Sequence, residues 1–554
     1  MTVVRLAGPG LLLALAACAD QGSNAATGGT IVIGVSASWN PGPPAVIVDL
    51  VSRTVADQIY DRLAEIGPRL NTIGDGGFEP RLARRWTWAP DSMSIAFEMD
   101  PRARWHDGRP VRASDVRFTF DVVKDPKTAS SITALLGNID SVSTPDSLTA
   151  VVWYHRHTPE QFYDFVYQVQ IMPEHLWKDV PHDKLANSEQ ARTPVGTGRF
   201  RFVRFEPGVR LELIADTTNF RGRAKLDRVV WAIVPDASAA VTQLLTGQAD
   251  VLEVLPADVI GRVDSSASLR THKFENLQFV FLGLNLRNPK QPAAPHPVFG
   301  DKRVRRALSM AIDRRAMLVN VFGERGLLGL GPFPRALSLG DTAYALPPFD
   351  QQQAAALLDS AGWTLSLDGI RRRGGKALAF TLIVPASSRA RMRYAVLIQE
   401  QLKTVGASVA IESMEFLPFL DRQVGRQFDA ALMNTNYDPS PATVSQSWSS
   451  LAITKGGQNY LSYSNPTFDA VIDSALSSFD ETRAGALFRR AYQTLTDDAP
   501  GVWLYDVPAM AGLHKRIRPV GMRADEWWAN LADWWIPSNE RIERDRIGLR
   551  PATP

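Results

Sequence analysis

Ser94-Ile95-Ala96-Phe97-Glu98-Met99-Asp100-Pro101-Arg102-Ala103-Arg104-Trp105-His106-Asp107-Gly108-Arg109-Pro110-Val111 reads as a strand followed by a reversal. Residues 94–99 alternate apolar and polar, the pattern of a half-buried strand. Trp105-His106-Asp107-Gly108 is turn chemistry, because Asp and Gly permit a tight reversal. His106 is therefore assigned to the scaffold and not to catalysis. Ser114-Asp115-Val116-Arg117-Phe118-Thr119-Phe120 then has the look of a capped helix start.

The same alternation of strands and helices extends in both directions. Upstream, Ile31-Val32-Ile33-Gly34-Val35 is strand-like, Asn40-Pro41-Gly42-Pro43-Pro44 is a turn, and a helix is expected over about 46–63. Downstream, 146–153 reads as a strand. Ser238, Val241, Leu244 and Leu245 with Gly247 as a stop read as a helix, and 250–254 as a strand. Met392, Ala395, Leu402 and Gly406 repeat that logic before the strand Val409-Ala410-Ile411. Residues 428–433 form one more strand. Phe468, Val471, Ile472, Ala475 and Leu476, and then Ala484, Leu487, Phe488, Ala491, Tyr492 and Leu495, recur at helical spacing. Such alternation implies α/β layers with mixed sheets. At 554 residues and 45% apolar, the chain exceeds the ~250–300 residues at which one core stops growing, so two or three domains are expected.

Several blocks point one way when taken in order. They are Tyr60-Asp61-Arg62-Leu63; Pro80-Arg81-Leu82-Ala83-Arg84-Arg85-Trp86; the 97–118 stretch above; Pro194-Val195-Gly196-Thr197-Gly198-Arg199-Phe200; and Phe299-Gly300-Asp301-Lys302-Arg303-Val304-Arg305-Arg306-Ala307-Leu308 with Ala311-Ile312-Asp313-Arg314. From about residue 30 to about 520 the chain resembles the extracellular solute-binding proteins, family 5, which serve ABC importers for oligopeptides, dipeptides and nickel. The resemblance implies a two-lobed periplasmic-binding-protein (type II) fold with an inserted third subdomain. It divides the chain into lobe I (30–66, 196–285 and 500–554, the last including a C-terminal tail), an insert (67–195) and lobe II (286–499). Solute would be engulfed between the lobes and handed to permease subunits. Much of what marks the family also has a scaffold reading: Asp313 can cap the helix from Ala316 onward, and Gly196 and Gly198 allow close backbone approach or positive φ.

The single cysteine extends this picture. Arg5, a Leu/Ala run from Gly10 and then Leu15-Ala16-Ala17-Cys18 have the layout of a secretory signal peptide over 1–17. A cut site ending in Cys resembles a lipobox, which implies lipidation at Cys18, a flexible tether over 18–29 and a cell-envelope, extracytoplasmic location on a membrane. An ordinary signal peptide is the alternative. The apolar run is shorter than the ~20 residues of a spanning helix. With no second cysteine there is no disulfide. Formal net charge is +3, or +2 once Arg5 leaves with the leader, and so near a balance argues against nucleic acid as partner.

No cofactor is expected and no enzyme motif is found: there is no His-Glu-x-x-His, Gly-x-Ser-x-Gly or phosphate loop. His155 and His157 share a strand face but lack the further ligands a metal needs. Binding candidates cluster after the strand at Met433: Asn434, Thr435, Asn436, Tyr437 and Asp438, followed by Pro439. In peptide-binding members the matching loop carries an Asp about four residues before its Pro. Counting back from Pro439 gives Thr435, and from Pro441 gives Tyr437, so that carboxylate is displaced or missing. Asp438 either replaces it or is a turn residue. Trp448 and Tyr460 are candidates for stacking or for core packing, and Trp39 and Arg53 lie near the first crossing. Trp527, Trp528, Leu531, Trp534 and Trp535 share a helical face that packs on its own domain or meets membrane or transporter. The expected ligand is a peptide or peptide-like solute. Alternatives are a non-peptide solute (an opine, a sugar-derived compound or a metal chelate), an envelope lipoprotein hydrolase using Asp438, Asp107 and His106, and a purely structural lipoprotein.

Overall fold

The computed structural model describes residues 27–256, 258–337, 346–454, 457–507 and 509–546. Cys18 and its leader lie outside these residues. Two mixed sheets and one antiparallel sheet organise the rest. The first sheet has seven strands in the order Leu269–Phe274, Ala509–His514, Val251–Leu252, Thr30–Val35, Arg228–Ile233, Arg210–Ala215 and Phe200–Glu206. Thr30–Val35 lies parallel to both of its neighbours. Five of its six residues are buried, Thr30 among them and Val35 excepted, as expected of a strand covered on both faces. The second sheet has six strands: Leu327–Leu328, Gly501–Asp506, Gln278–Leu284, Ala430–Asn436, Ala379–Pro385 and Ser408–Met414. A four-stranded antiparallel sheet within residues 83–154 forms the insert, with Ser94–Met99 as an inner strand.

The chain passes between the two large sheets at two adjacent places. Leu269–Phe274 in the first sheet continues through 275–277 into Gln278–Leu284 of the second, and Gly501–Asp506 of the second leads into Ala509–His514 of the first. The partners across these joints pair antiparallel in each sheet. At strand level the passages between the sheets lie at 275–277 and just after Asp506. An apolar run such as Gln278–Leu284 gives no sign in sequence of which sheet it joins.

Local signals account for many element ends. Asp49 accepts from Ser52 N and starts the helix Leu50–Ile59, which Tyr60 ends in extended conformation. This helix is shorter than the 46–63 expected, because Pro43 and Pro44 feed a separate 3-10 turn. Asp115 closes a capping box at Ala113–Lys124, and Asp313 accepts from Ala316 N. Gly108 takes a φ of 87° in the 105–109 reversal, where Trp105 N–H donates to Arg109 O. Asp236, and not Ser238, caps Ala237–Leu245. The tail tryptophans form no α-helix: a 3-10 turn, Leu531–Asp533, is the regular element there. Trp527, Trp528 and Trp534 are instead buried one by one in the core of the first sheet, beside Ile59 and Trp231. Among the described residues no helix is long and apolar enough to cross a membrane.

Candidate functional site

The strand Ala430–Asn436 carries the first candidates. It runs three residues past Met433, so Asn434, Thr435 and Asn436 are strand and not loop. They pair with Val280, Phe279 and Gln278, next to the 275–277 joint. Asn434 and Asn436 are exposed, and Asn434 Nδ2 donates to Gln278 Oε1 at 3.2 Å. Tyr437 turns inward and is buried. Its hydroxyl donates to Pro332 O and accepts from Trp448 Nε1, both at 3.0 Å. Trp448 packs against Phe281 and Trp503 at ring separations of 5.6 and 5.3 Å, and so stands behind the site as core. Neither Thr435 nor Tyr437 supplies a carboxylate at the two counted positions.

Asp438 does supply one. Its Oδ1 accepts from Ser440 N at 2.9 Å and from Thr443 Oγ1 at 2.7 Å. The residue is exposed, yet surrounding protein strips its wider solvent and raises its carboxyl above the usual range, against the pull of those hydrogen bonds and of Arg53. Arg53 lies on the helix Leu50–Ile59 of the first lobe with its side chain 48% exposed, 3.6 Å from Glu526. Glu526 also meets Arg62 at 2.9 Å and Arg523 at 3.4 Å, and Arg523 meets Glu65 at 2.8 Å.

That ladder of charges leads away from Asp438 to a cavity of about 380 Å³. Glu65, Arg81 and Arg523 line it from the first lobe and insert, Glu275 from the joint, and Ala336 from the second lobe. None of Asn434 to Asp438, Trp39, Arg53, Trp448 or Tyr460 lines this cavity. Trp39 is absent for a clear reason: it packs on Phe202 and Phe205 within the first lobe. Tyr460 is half-buried, and its hydroxyl pKa is raised by burial against the pull of Arg426.

The insert contributes what sequence reading missed. Glu160 stands at the start of the short helix Gln161–Val166 without a capping side-chain bond, and its Oε2 accepts from Ser440 Oγ at 2.8 Å across the gap to the second lobe. Asp164 lies one turn on. Burial, with Asp438 as a nearby like charge, pushes the Glu160 carboxyl up to about 7, opposed by the hydrogen bond from Ser440 and by nearby Thr72. Burial, Glu160 and Asp438 push Asp164 up to about 8. The second lobe is met elsewhere too: His157 of the insert packs tilted against Phe479 at a ring separation of 4.1 Å, and Arg325 pairs with Asp264 of the first lobe at 2.8 Å. This gives His157 a packing role, and His155 is exposed, 3.7 Å from Asp140.

A hydrolytic centre does not assemble. His106 accepts from Gly196 N on Nδ1 and meets Gly198 O at 2.9 Å through Nε2, so both ring nitrogens are committed to backbone. Asp107 pairs with His175 at 2.7 Å, and Asp438 is held as described. The three share no partner. Among the described residues no group of three or more His, Cys, Asp or Glu is placed to hold a metal ion.

Comparison with known proteins follows this geometry. Residues 77–456 match the family described as bacterial extracellular solute-binding proteins, family 5 Middle. The oligopeptide-binding protein AppA of Bacillus subtilis is 26% identical over 92% of each chain. Its structure in complex with a nonapeptide superposes with a TM-score of 0.73 at 25% identity, covering 92% of this chain and 99% of that one. The ABC transporter substrate-binding protein CtaP of Listeria monocytogenes gives 0.80 at 19% identity, over 92% and 99%. NikZ of Campylobacter jejuni, in complex with Ni(L-His), gives 0.74 at 20%, over 91% and 99%.

Proposed function

The chain belongs to the bacterial extracellular solute-binding proteins of family 5, and on that premise we propose that it is the substrate-binding component of an ABC importer that captures a peptide or peptide-like solute between its lobes. The relative AppA, named for oligopeptide binding and alike over 92% of both chains, supports the peptide class. The observation that carries the reading is Asp438, a carboxylate on the cleft wall whose two protein hydrogen bonds both fall on Oδ1. A free α-ammonium entering a closing cleft needs such a partner, since an unpaired buried charge costs several kcal/mol. Calorimetry with free and amino-blocked forms of one short peptide tests this. The free form binds, blocking abolishes or greatly weakens binding, and Asp438→Asn costs about 2–5 kcal/mol. Equal binding of both forms by both proteins sinks the ammonium role.

Acylation at Cys18 would tether the receptor to the outer face of a membrane. Cys18→Ser then moves the protein from the membrane fraction to the soluble one, and unchanged partition refutes the anchor. A second reading, a non-peptide solute such as an opine, a sugar-derived compound or a metal chelate, is favoured by one observation: the two counted positions hold Thr435 and the inward-turned Tyr437. Amino-blocked and free peptides would then fail alike.

A further inference from the structure

We propose that Glu160 and Asp164 of the insert, set against Asp438 of the second lobe, form an anionic subsite that takes a second positive charge of the solute. The preferred ligand is then a peptide bearing a lysine or arginine side chain close to its amino end. This rests on the peptide reading above and deepens it.

Four observations carry it. The three carboxylates come from two bodies that meet across the cleft, joined by the Ser440–Glu160 hydrogen bond between residues 280 positions apart. They act on one another as like charges. The cation that faces Asp438 is Arg53, and its guanidinium is shared with Glu526 at 3.6 Å, so the three carboxylates outnumber it. Beside them the Tyr163 hydroxyl is buried, 1% exposed for the residue, with no hydrogen-bond partner in the protein. It lies within electrostatic reach of Asp438, Glu160 and Asp164. One oxygen of Glu160, Oε1, is likewise buried with no hydrogen-bond partner in the protein. Thr72 sits near this carboxyl but does not complete such a bond. Orphaned polar atoms of this kind are rare in native structures and call for an explanation. A guanidinium or ammonium satisfies them together, offering three to five donors to oxygens that would repel one another if ionised without it.

A consequence separates this site from an ordinary interlobe latch. With carboxyls titrating near 7 and 8, the empty cluster holds protons at neutral pH, and an arriving cation expels them. Binding of a basic peptide therefore releases protons, and its affinity rises with pH between about 6 and 9.

The test is titration calorimetry of the whole protein with three probes: trialanine, lysyl-alanyl-alanine and the diamine cadaverine, each in two buffers of different ionisation heat at pH 7.5. The lysine peptide should bind about tenfold or more tighter than trialanine and release more protons. Glu160→Gln and Asp164→Asn should each bring the ratio of the two affinities toward one. Both are near-isosteric and relieve like-charge repulsion, and proton release by the unmutated protein needs no variant to fold. Equal affinities with equal proton release overturn the subsite while leaving the peptide reading standing. Binding of cadaverine with neither tripeptide keeps the subsite and overturns the peptide reading. Failure of all three probes overturns both.

Discussion

Asp506 ends the strand that leads into the second joint, and it is 5% exposed. Burial pushes its carboxyl up to about 7, with Glu275 adding to the rise and Arg335, 3.3 Å away, opposing it. A carboxyl whose folded value stands above its unfolded value of about 4 binds more protons when folded. The stability it contributes is complete below about pH 4 and is lost as pH climbs through 7. Urea unfolding across pH 5 to 8 should show stability falling, and Asp506→Asn should shrink that fall by on the order of 3 kcal/mol. Glu160 and Asp164 would sustain what is left, and an unchanged slope in the variant refutes the assignment. Individual residues were legible in the sequence where the chemistry is local: Asp313 caps, Gly108 turns, His106 is scaffold. Tyr163, Glu160 and Asp164 were not, because nothing in the insert marks a side chain whose neighbours lie some 280 residues away.

Gly196 and Gly198 show how a loop can fix the placement of an element. Neither has positive φ. A Cβ on Gly196 would lie 1.9 Å from Ile59 O, and on Gly198 2.1 Å from Gln58 O. The segment is pressed onto the end of the helix Leu50–Ile59, and Gly198 N–H donates to Ile59 O at 2.8 Å. His106 ties the other side of the segment, and so fixes the insert to the first lobe. Gly196→Ala should cost about 3 kcal/mol or more, since the clash is with backbone. Gly261→Ala, where nothing lies within 4 Å, should be neutral or slightly stabilising. Thermal melts of the two variants separate these, and equal melting temperatures would sink the argument. Strands with clean alternation, such as Ser94–Met99, were legible to the residue. Ala430–Asn436 was read too short because its last three residues are polar: the ladder continues with Gln278 to Val280 while the apolar signal has stopped. The tail tryptophans misled in the opposite way. Their spacing of three and four fits a helix, but Trp527, Trp528 and Trp534 each fill their own gap in the first lobe's core, and such anchoring needs no period.

The whole molecule has two bodies joined at two neighbouring segments, 275–277 and the one after Asp506, an arrangement suited to hinge closure. Contacts such as Ser440–Glu160 and Arg325–Asp264 exist when the lobes meet, and a bound solute adds to what holds them together. Small-angle scattering should show a smaller radius of gyration with saturating ligand than without. An unchanged radius counts against a closing receptor. The layered α/β class was legible from strand and helix alternation, and more than one body was expected from length alone. Which sheet Gln278–Leu284 and Gly501–Asp506 join was not, since pairing is a long-range matter. The extreme case of that range is Thr30 N–H, which donates to Asp545, 515 residues away, while Arg516 pairs with Asp545 at 2.7 Å and with Asp250 at 2.9 Å. This clasp orders events in time. A chain that emerges amino end first presents Thr30–Val35 early, but the residues that lock that strand follow 486 and 515 positions later. The first lobe therefore stays unfinished until Arg516 and Asp545 have both been made, and the strand that starts it waits unlocked for most of that interval.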